Sequence, residues 1–169
     1  YPKRYWSLIK KFANQFDVDP YLLLSVMRQE SAFNPEAISP ADAYGLLQMT
    51  PYMAKAMGKR LDIPLKSKDD LLKPEINLLY CAYYISDLIK KNKGNLVMAL
   101  ATYNANDRAV KKWVKRYWVE DIEEFIEEIP YQETRAYVKL VLRNYLNNLY
   151  IYEGEFKSFH DIVQPDAKN

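Results

Sequence analysis

An all-α fold is what this chain predicts, on three observations. Glycine is scarce, with only 4 residues in 169, and runs of β-branched residues are few, so neither strands nor tight hairpin turns are favoured. Apolar residues recur three and four apart instead of alternating. Residue–proline pairs and late glycines punctuate the chain where helices would begin and end. A short irregular hairpin between residues 36 and 48 is the one candidate for extended backbone. No repeat with a period of 30 to 45 residues is found, which argues against a solenoid.

The first helix follows from Trp6, Ile9, Phe12, Ala13 and Phe16 at helical spacing. Asp19 as N-cap and Pro20 at the first helical position open the second, and Asn34-Pro35 limits its far end. Thr50-Pro51 opens a third, which Gly58 is expected to close as a left-handed cap. Lys73-Pro74 opens a longer helix with Leu78, Cys81, Ala82, Ile85, Leu88 and Ile89 on its stripe and Gly94 beyond its end. Residues 95–103 form another. Asp107 is expected to cap a helix running to about Tyr117, a short acidic one covers 120–128, and the last runs over 132–152 until Gly154 stops it. These make one domain over 1–154; the polar tail over 155–169 is expected to pack loosely on it or trail from it, with the lone His160 at the surface.

Hydrophobic content of 49% and charged content of 27% suit a globular domain of this length. Net charge is +2 and the lysines are scattered. Lys111-Lys112 and Lys115-Arg116 read as a solvated helix face, so no nucleic-acid partner is expected. Cys81 lies in an apolar run and reads as a small buried hydrophobe. No apolar run approaches the length that spans a bilayer, and no membrane-spanning segment is expected. The chain starts at Tyr1 with no signal peptide, as expected of a mature or excised segment. Fifteen tyrosines suit a groove presenting both flat apolar faces and hydroxyls. Metal-ligand spacing, a phosphate-binding glycine loop and a Ser-His-Asp set are not found.

One residue stands apart. Leu23, Val26, Met27 and Glu30 share a face of the second helix, so its only acid falls on the apolar stripe, with Arg28 turned away. Desolvation and the negative end of the helix dipole both disfavour the ionised carboxylate there. A carboxylic acid kept protonated near neutral pH is what a general acid requires. The bland alternative is a solvated helix-end glutamate.

Four segments then stand out in order: Gln29-Glu30-Ser31-Ala32-Phe33-Asn34-Pro35, residues 39–51 with Tyr44-Gly45-Leu46-Leu47-Gln48-Met49, Ala101-Thr102-Tyr103-Asn104-Ala105, and residues 129–138 beginning Ile129-Pro130-Tyr131. Together they resemble the catalytic, Gly-Leu-Met-Gln, Ala-Tyr-Asn-Ala-Gly and fourth motifs of the soluble lytic transglycosylases of family 1, over roughly residues 10–152. The resemblance implies an all-α, lysozyme-like (goose-type) domain with a substrate groove. It also implies a peptidoglycan glycan strand as substrate, a periplasmic setting, no metal or organic cofactor, and Glu30 as catalytic acid. Ser39, Gln48, Tyr103, Asn104 and Glu133 match groove positions; a monomer is expected.

Most glycosidases use two carboxylates, but only Glu30 is both on an apolar face and matched to a motif. The resemblance implies a single-acid, water-free cleavage of the N-acetylmuramic acid to N-acetylglucosamine bond, ending in a 1,6-anhydro sugar. The alternatives are lysozyme-like hydrolysis, and a glycan-binding module without turnover. Three departures from the pattern concern the groove more than the chemistry. Asn106 and Asp42 stand where glycine is usual, and Thr50 where methionine is usual. Asn tolerates positive φ better than most residues, and Thr50 can cap the next helix.

Overall fold

A computed structural model describes residues 2–117 and 121–163. The chain divides into two compact units, residues 1–86 and 87–169. Nine α-helices and one 3₁₀ turn are found among the described residues, with no strand, only the isolated bridges Ile38–Tyr44 and Tyr44–Met49.

In the first unit, α1 (Trp6–Phe16) packs on α2 (Pro20–Ser31). Asp19 caps α2 as its sequence requires, its carboxylate accepting from the Tyr21 N–H at 2.7 Å. The helix is not a striped surface helix, however. Every residue from Tyr21 to Met27 is buried, so α2 is a core helix, buried all round until its last turn. Burying one leucine of this kind is worth ~1.5–3 kcal/mol. Arg28, expected to turn well away, is half-buried, as are Gln29 and Glu30.

Helix α3 spans Pro51–Leu61, with the Thr50 hydroxyl accepting from the Met53 N–H at 3.3 Å. Its end corrects the expectation for Gly58. The left-handed cap is Asp62 (φ 56°), and Gly58 lies inside the helix. Close packing is the physical reason for glycine there: a Cβ would stand 2.7 Å from the Ile63 carbonyl and 3.2 Å from the Tyr80 hydroxyl. A 3₁₀ turn over Lys68–Leu72 leads into α4, Pro74–Lys91, where Leu78, Cys81, Ala82, Ile85 and Leu88 are buried as their spacing predicts.

In the second unit α5 (Leu96–Asn104) is buried from Val97 to Thr102 and packs against α6 (Asp107–Tyr117), α8 (Gln132–Glu153) and α9 (Phe159–Val163). Helix α7 (Ile122–Glu128) is capped by Asp121 and packs on α8; Glu120, the expected start of that acidic helix, lies outside the described residues. Gly154 ends α8 in the left-handed region as expected. The segment beyond it contains α9, whose Ile162 and Val163 are buried, while His160 is exposed.

The cap of α6 also differs from expectation. The Asn106 side chain, not that of Asp107, accepts from the Ala109 N–H at 2.9 Å. Asn106 adopts φ 150°, a region glycine enters far more readily than a residue with a Cβ. Strain and cap therefore oppose each other at one residue. Asn106→Gly is expected to gain about 1 kcal/mol, because relieved strain of ~1–3 kcal/mol outweighs a lost side-chain cap and a looser unfolded chain. Asn106→Ala keeps the strain, loses the cap, and is expected to cost about 1 kcal/mol. Urea unfolding midpoints in the order Ala above Gly would refute this.

Candidate active site

Glu30 occupies the last turn of α2 and is the only acid in that helix, after the buried stretch from Tyr21 to Met27. The chain leaves that helix through two consecutive left-handed residues, Ala32 (φ 49°) and Phe33 (φ 68°), and the buried Phe33 ring anchors the turn. Asn34 follows, its side chain accepting from the Glu36 N–H at 3.0 Å. Beside Glu30, the Ser31 hydroxyl donates to the Leu46 carbonyl at 2.8 Å. That bond joins the acid-bearing helix end to the Gly45-Leu46-Leu47-Gln48 turn.

The loop carrying Ser39 and Gln48 is held from within and from below. Ser39 and Ala43 exchange two hydrogen bonds, the Ser39 N–H donating to the Ala43 carbonyl at 2.9 Å and the Ala43 N–H to the Ser39 hydroxyl at 3.2 Å. The half-buried Ser39 thus shapes its own turn. Gln48 adopts φ 50°, and its Nε2 donates to the Ala37 and Gly45 carbonyls at 3.1 and 2.9 Å. Two carbonyl acceptors fix the amide's orientation. Its Oε1 then meets no hydrogen-bond donor among the described residues, leaving an acceptor for a ligand.

From below, Asn77 bonds three backbone groups of this region. Its Oδ1 accepts from the Leu47 N–H at 2.8 Å, and its Nδ2 donates to the Tyr44 and Leu71 carbonyls at 2.7 and 2.9 Å. Gly45, at φ 76°, must be glycine, since a Cβ there would lie 2.2 Å from the Leu71 carbonyl and 2.6 Å from Asn77 Nδ2. Asp42 takes the left-handed conformation at φ 56°, and its carboxylate accepts the Tyr44 hydroxyl at 2.6 Å. Lys68 lies alongside, its ammonium 5.5 Å from the Tyr44 ring centroid, and the Tyr44 hydroxyl and the Asp42 carboxylate hold its pKa above the ordinary lysine value.

In the second unit Tyr103 and Asn104 end α5, both half-buried. Asn104 Oδ1 accepts the Thr134 hydroxyl at 2.7 Å, and Thr134 is buried in the first turn of α8. Its neighbour Glu133 is exposed. That bond ties the end of α5, which carries Tyr103 and Asn104, to the first turn of α8, which carries Glu133. Ser31, Asn77 and Thr134 were not singled out from sequence. Asn77 left a usable signal: an amide inside the apolar run from Ile76 to Ala82 must find buried partners.

Residues 7–126 match the family model described as the Transglycosylase SLT domain. The chain belongs to the SLT transglycosylase family. The SLT domain is 34% identical over 144 residues to the soluble lytic murein transglycosylase of Escherichia coli K12, covering 84% of this chain and 22% of that protein. It resembles the crystal structure of the 70-kDa soluble lytic transglycosylase of E. coli with a TM-score of 0.87 and 32% identity, over 92% of this chain and 25% of that one. An inactive Glu-to-Gln mutant of the lytic transglycosylase Slt from Pseudomonas aeruginosa gives 0.86 and 31%, over 90% and 25%. The SLT domain thus spans about a quarter of the length of these relatives. Its fold is the all-α, lysozyme-like one expected from its motifs. Among the described residues no helix is long and apolar enough to cross a membrane.

Proposed function

We propose that this chain is the catalytic domain of a peptidoglycan lytic transglycosylase, with Glu30 as its single acid and base. One observation carries the proposal. The only acid of α2 stands where that buried helix ends, and the adjacent Ser31 bonds the turn bearing Gln48. The chain's relatives, soluble lytic murein transglycosylases, supply the substrate class. The inactive mutant from P. aeruginosa supports a catalytic glutamate in that enzyme.

Protonated Glu30 donates to the glycosidic oxygen as the bond between N-acetylmuramic acid and N-acetylglucosamine breaks. The 2-acetamido oxygen of the substrate stabilises the oxocarbenium-like centre, as in substrate-assisted glycosidases. Glu30, now a carboxylate, removes the proton from the C6 hydroxyl of the same muramyl sugar, which closes the 1,6-anhydro ring. A nucleophile already on the substrate has the entropic advantage of an intramolecular reaction. No metal or organic cofactor takes part. The Tyr103 hydroxyl is assigned to the C6 hydroxyl of the substrate. Ser39, Gln48, Asn104 and Glu133 hold the glycan strand, Gln48 through Oε1 and Asn104 through the amide nitrogen that Thr134 leaves uncommitted.

We assign residues 1–154 to this domain, working as a monomer in the periplasm of a bacterial envelope. Lysozyme-like hydrolysis would need a base for water, and Asp42 and Glu133 are the possible second carboxylates. Mass spectrometry of fragments released from purified sacculi separates the two chemistries. Anhydro ends are expected from the wild type, and from Glu133→Gln at a moderately lower rate. Reducing ends as the major product, lost on Glu133→Gln, would establish a hydrolase instead. A folded wild type that binds sacculi without releasing any fragment would leave only a glycan-binding module.

A further inference from the structure

Asp42 holds the left-handed conformation, φ 56°, at a position where the motif usually has glycine. A Cβ makes that conformation costly, less so for aspartate than for most residues. Glycine would make the same turn without the cost, so the carboxylate itself needs a reason. Its Oδ1 accepts the Tyr44 hydroxyl at 2.6 Å, the short length of a charge-assisted bond.

Tyr44 is the base of the turn that carries Gln48. Its N–H and carbonyl pair with the carbonyl and N–H of Met49, both at 3.0 Å, and so close the loop over residues 45–48. Inside that loop the Gly45 carbonyl accepts both the Gln48 N–H at 3.2 Å and its Nε2 at 2.9 Å. A displacement of residue 44 therefore moves the carbonyl that orients the Gln48 amide, and Oε1 moves with it. Two side chains hold Tyr44 from opposite ends. Asn77 Nδ2 bonds its carbonyl at 2.7 Å, and Asp42 bonds its hydroxyl. With Asn77 alone, the buried ring is free to tilt about its backbone anchor and carry the loop with it.

We infer that Asp42 is a positioning residue for substrate binding, acting through the Tyr44 hydroxyl to fix the orientation in which Gln48 presents Oε1 to the glycan strand. The inference rests on the proposed function and gives Asp42 a role other than that of a second catalytic carboxylate. Asp42→Gly suits the backbone but removes the acceptor, so it should fold with an unfolding temperature close to the wild type. On soluble glycan strands its KM is expected to rise about five-fold while kcat changes less than about two-fold, the split expected when ground state and transition state lose the same contact. Asp42→Asn keeps an acceptor oxygen and tolerates the left-handed region, so it should return KM to within about two-fold of the wild type. Tyr44→Phe should match Asp42→Gly, and the double variant should be no worse than either, because both cut the same bond. Tyr44→Phe carries the comparison alone if circular dichroism shows Asp42→Gly unfolded. An unchanged KM in the folded single variants overturns the inference, as do additive losses in the double variant. Lost kcat in Asp42→Asn overturns it too, and makes Asp42 a catalytic carboxylate. If the wild type cleaves no glycan strand, the proposed function fails instead, and affinity for a β-1,4-linked N-acetylglucosamine tetramer decides the role of Asp42. Binding about five-fold weaker in Asp42→Gly and restored in Asp42→Asn supports it; equal affinities, or no binding by the wild type, overturn it.

Discussion

Glu30→Gln is expected to leave the fold intact and to reduce release of fragments from sacculi by more than ~10²–10⁴-fold. That range is typical of one general acid or base step, and here the same side chain performs both. The amide keeps the shape of the carboxyl but can neither protonate the leaving oxygen nor accept the C6 proton. Folding should not suffer, because Glu30 is half-buried at a helix end while the core residues Leu23, Val26 and Met27 remain in place. The same assay on Tyr103→Phe should show a smaller fall in kcat with an unfolding temperature close to the wild type. Near-normal digestion of sacculi by a folded Glu30→Gln protein would sink the catalytic assignment. Lost activity accompanied by lost structure would be uninformative about chemistry, so circular dichroism and the thermal midpoint are measured on the same preparation.

How far the sequence could be read depends on where each signal is encoded. Helix starts were legible because caps are local: Asp19, Thr50 and Asn95 each accept a backbone N–H within three residues. Helix ends were less so. Gly58 looked like a left-handed cap, yet its lack of a Cβ answers to Ile63 and Tyr80, which only the folded chain brings near. Asn106 and Asp107 were adjacent candidates for one cap, and the choice between them rests on a backbone conformation that composition does not specify. The stripe on α2 pointed to Glu30 for an incomplete reason. Burial surrounds that helix on every side, so what distinguishes the acid is its place at the end of a core helix. The loop from Ser39 to Met49 was legible as a motif and illegible as a structure, since its conformation is set by residues some 30 positions later.

Asn77→Ala is expected to cost about 3 kcal/mol, because removing one partner from buried hydrogen bonds costs ~1–3 kcal/mol for each group left behind. Asn77 is fully buried, and three backbone groups depend on it: the Leu47 N–H and the carbonyls of Tyr44 and Leu71. For a domain of this size the thermal midpoint should drop by roughly 6–12 °C. A smaller side chain also leaves a cavity, so alanine alone does not separate lost hydrogen bonds from lost packing. Asn77→Asp does. It is nearly isosteric and keeps an acceptor for Leu47, but it replaces the two N–H donors with an oxygen facing two carbonyl oxygens. If packing were the cause, aspartate would be tolerated and alanine would not. If the donors hold the loop, aspartate should be at least as damaging as alanine, and fragment release should fall with it because Gln48 and the Ser31–Leu46 bond sit on the same turn. A loss below about 1 kcal/mol in Asn77→Asp, the net worth of a single ordinary hydrogen bond, would show that the loop keeps its shape without Asn77.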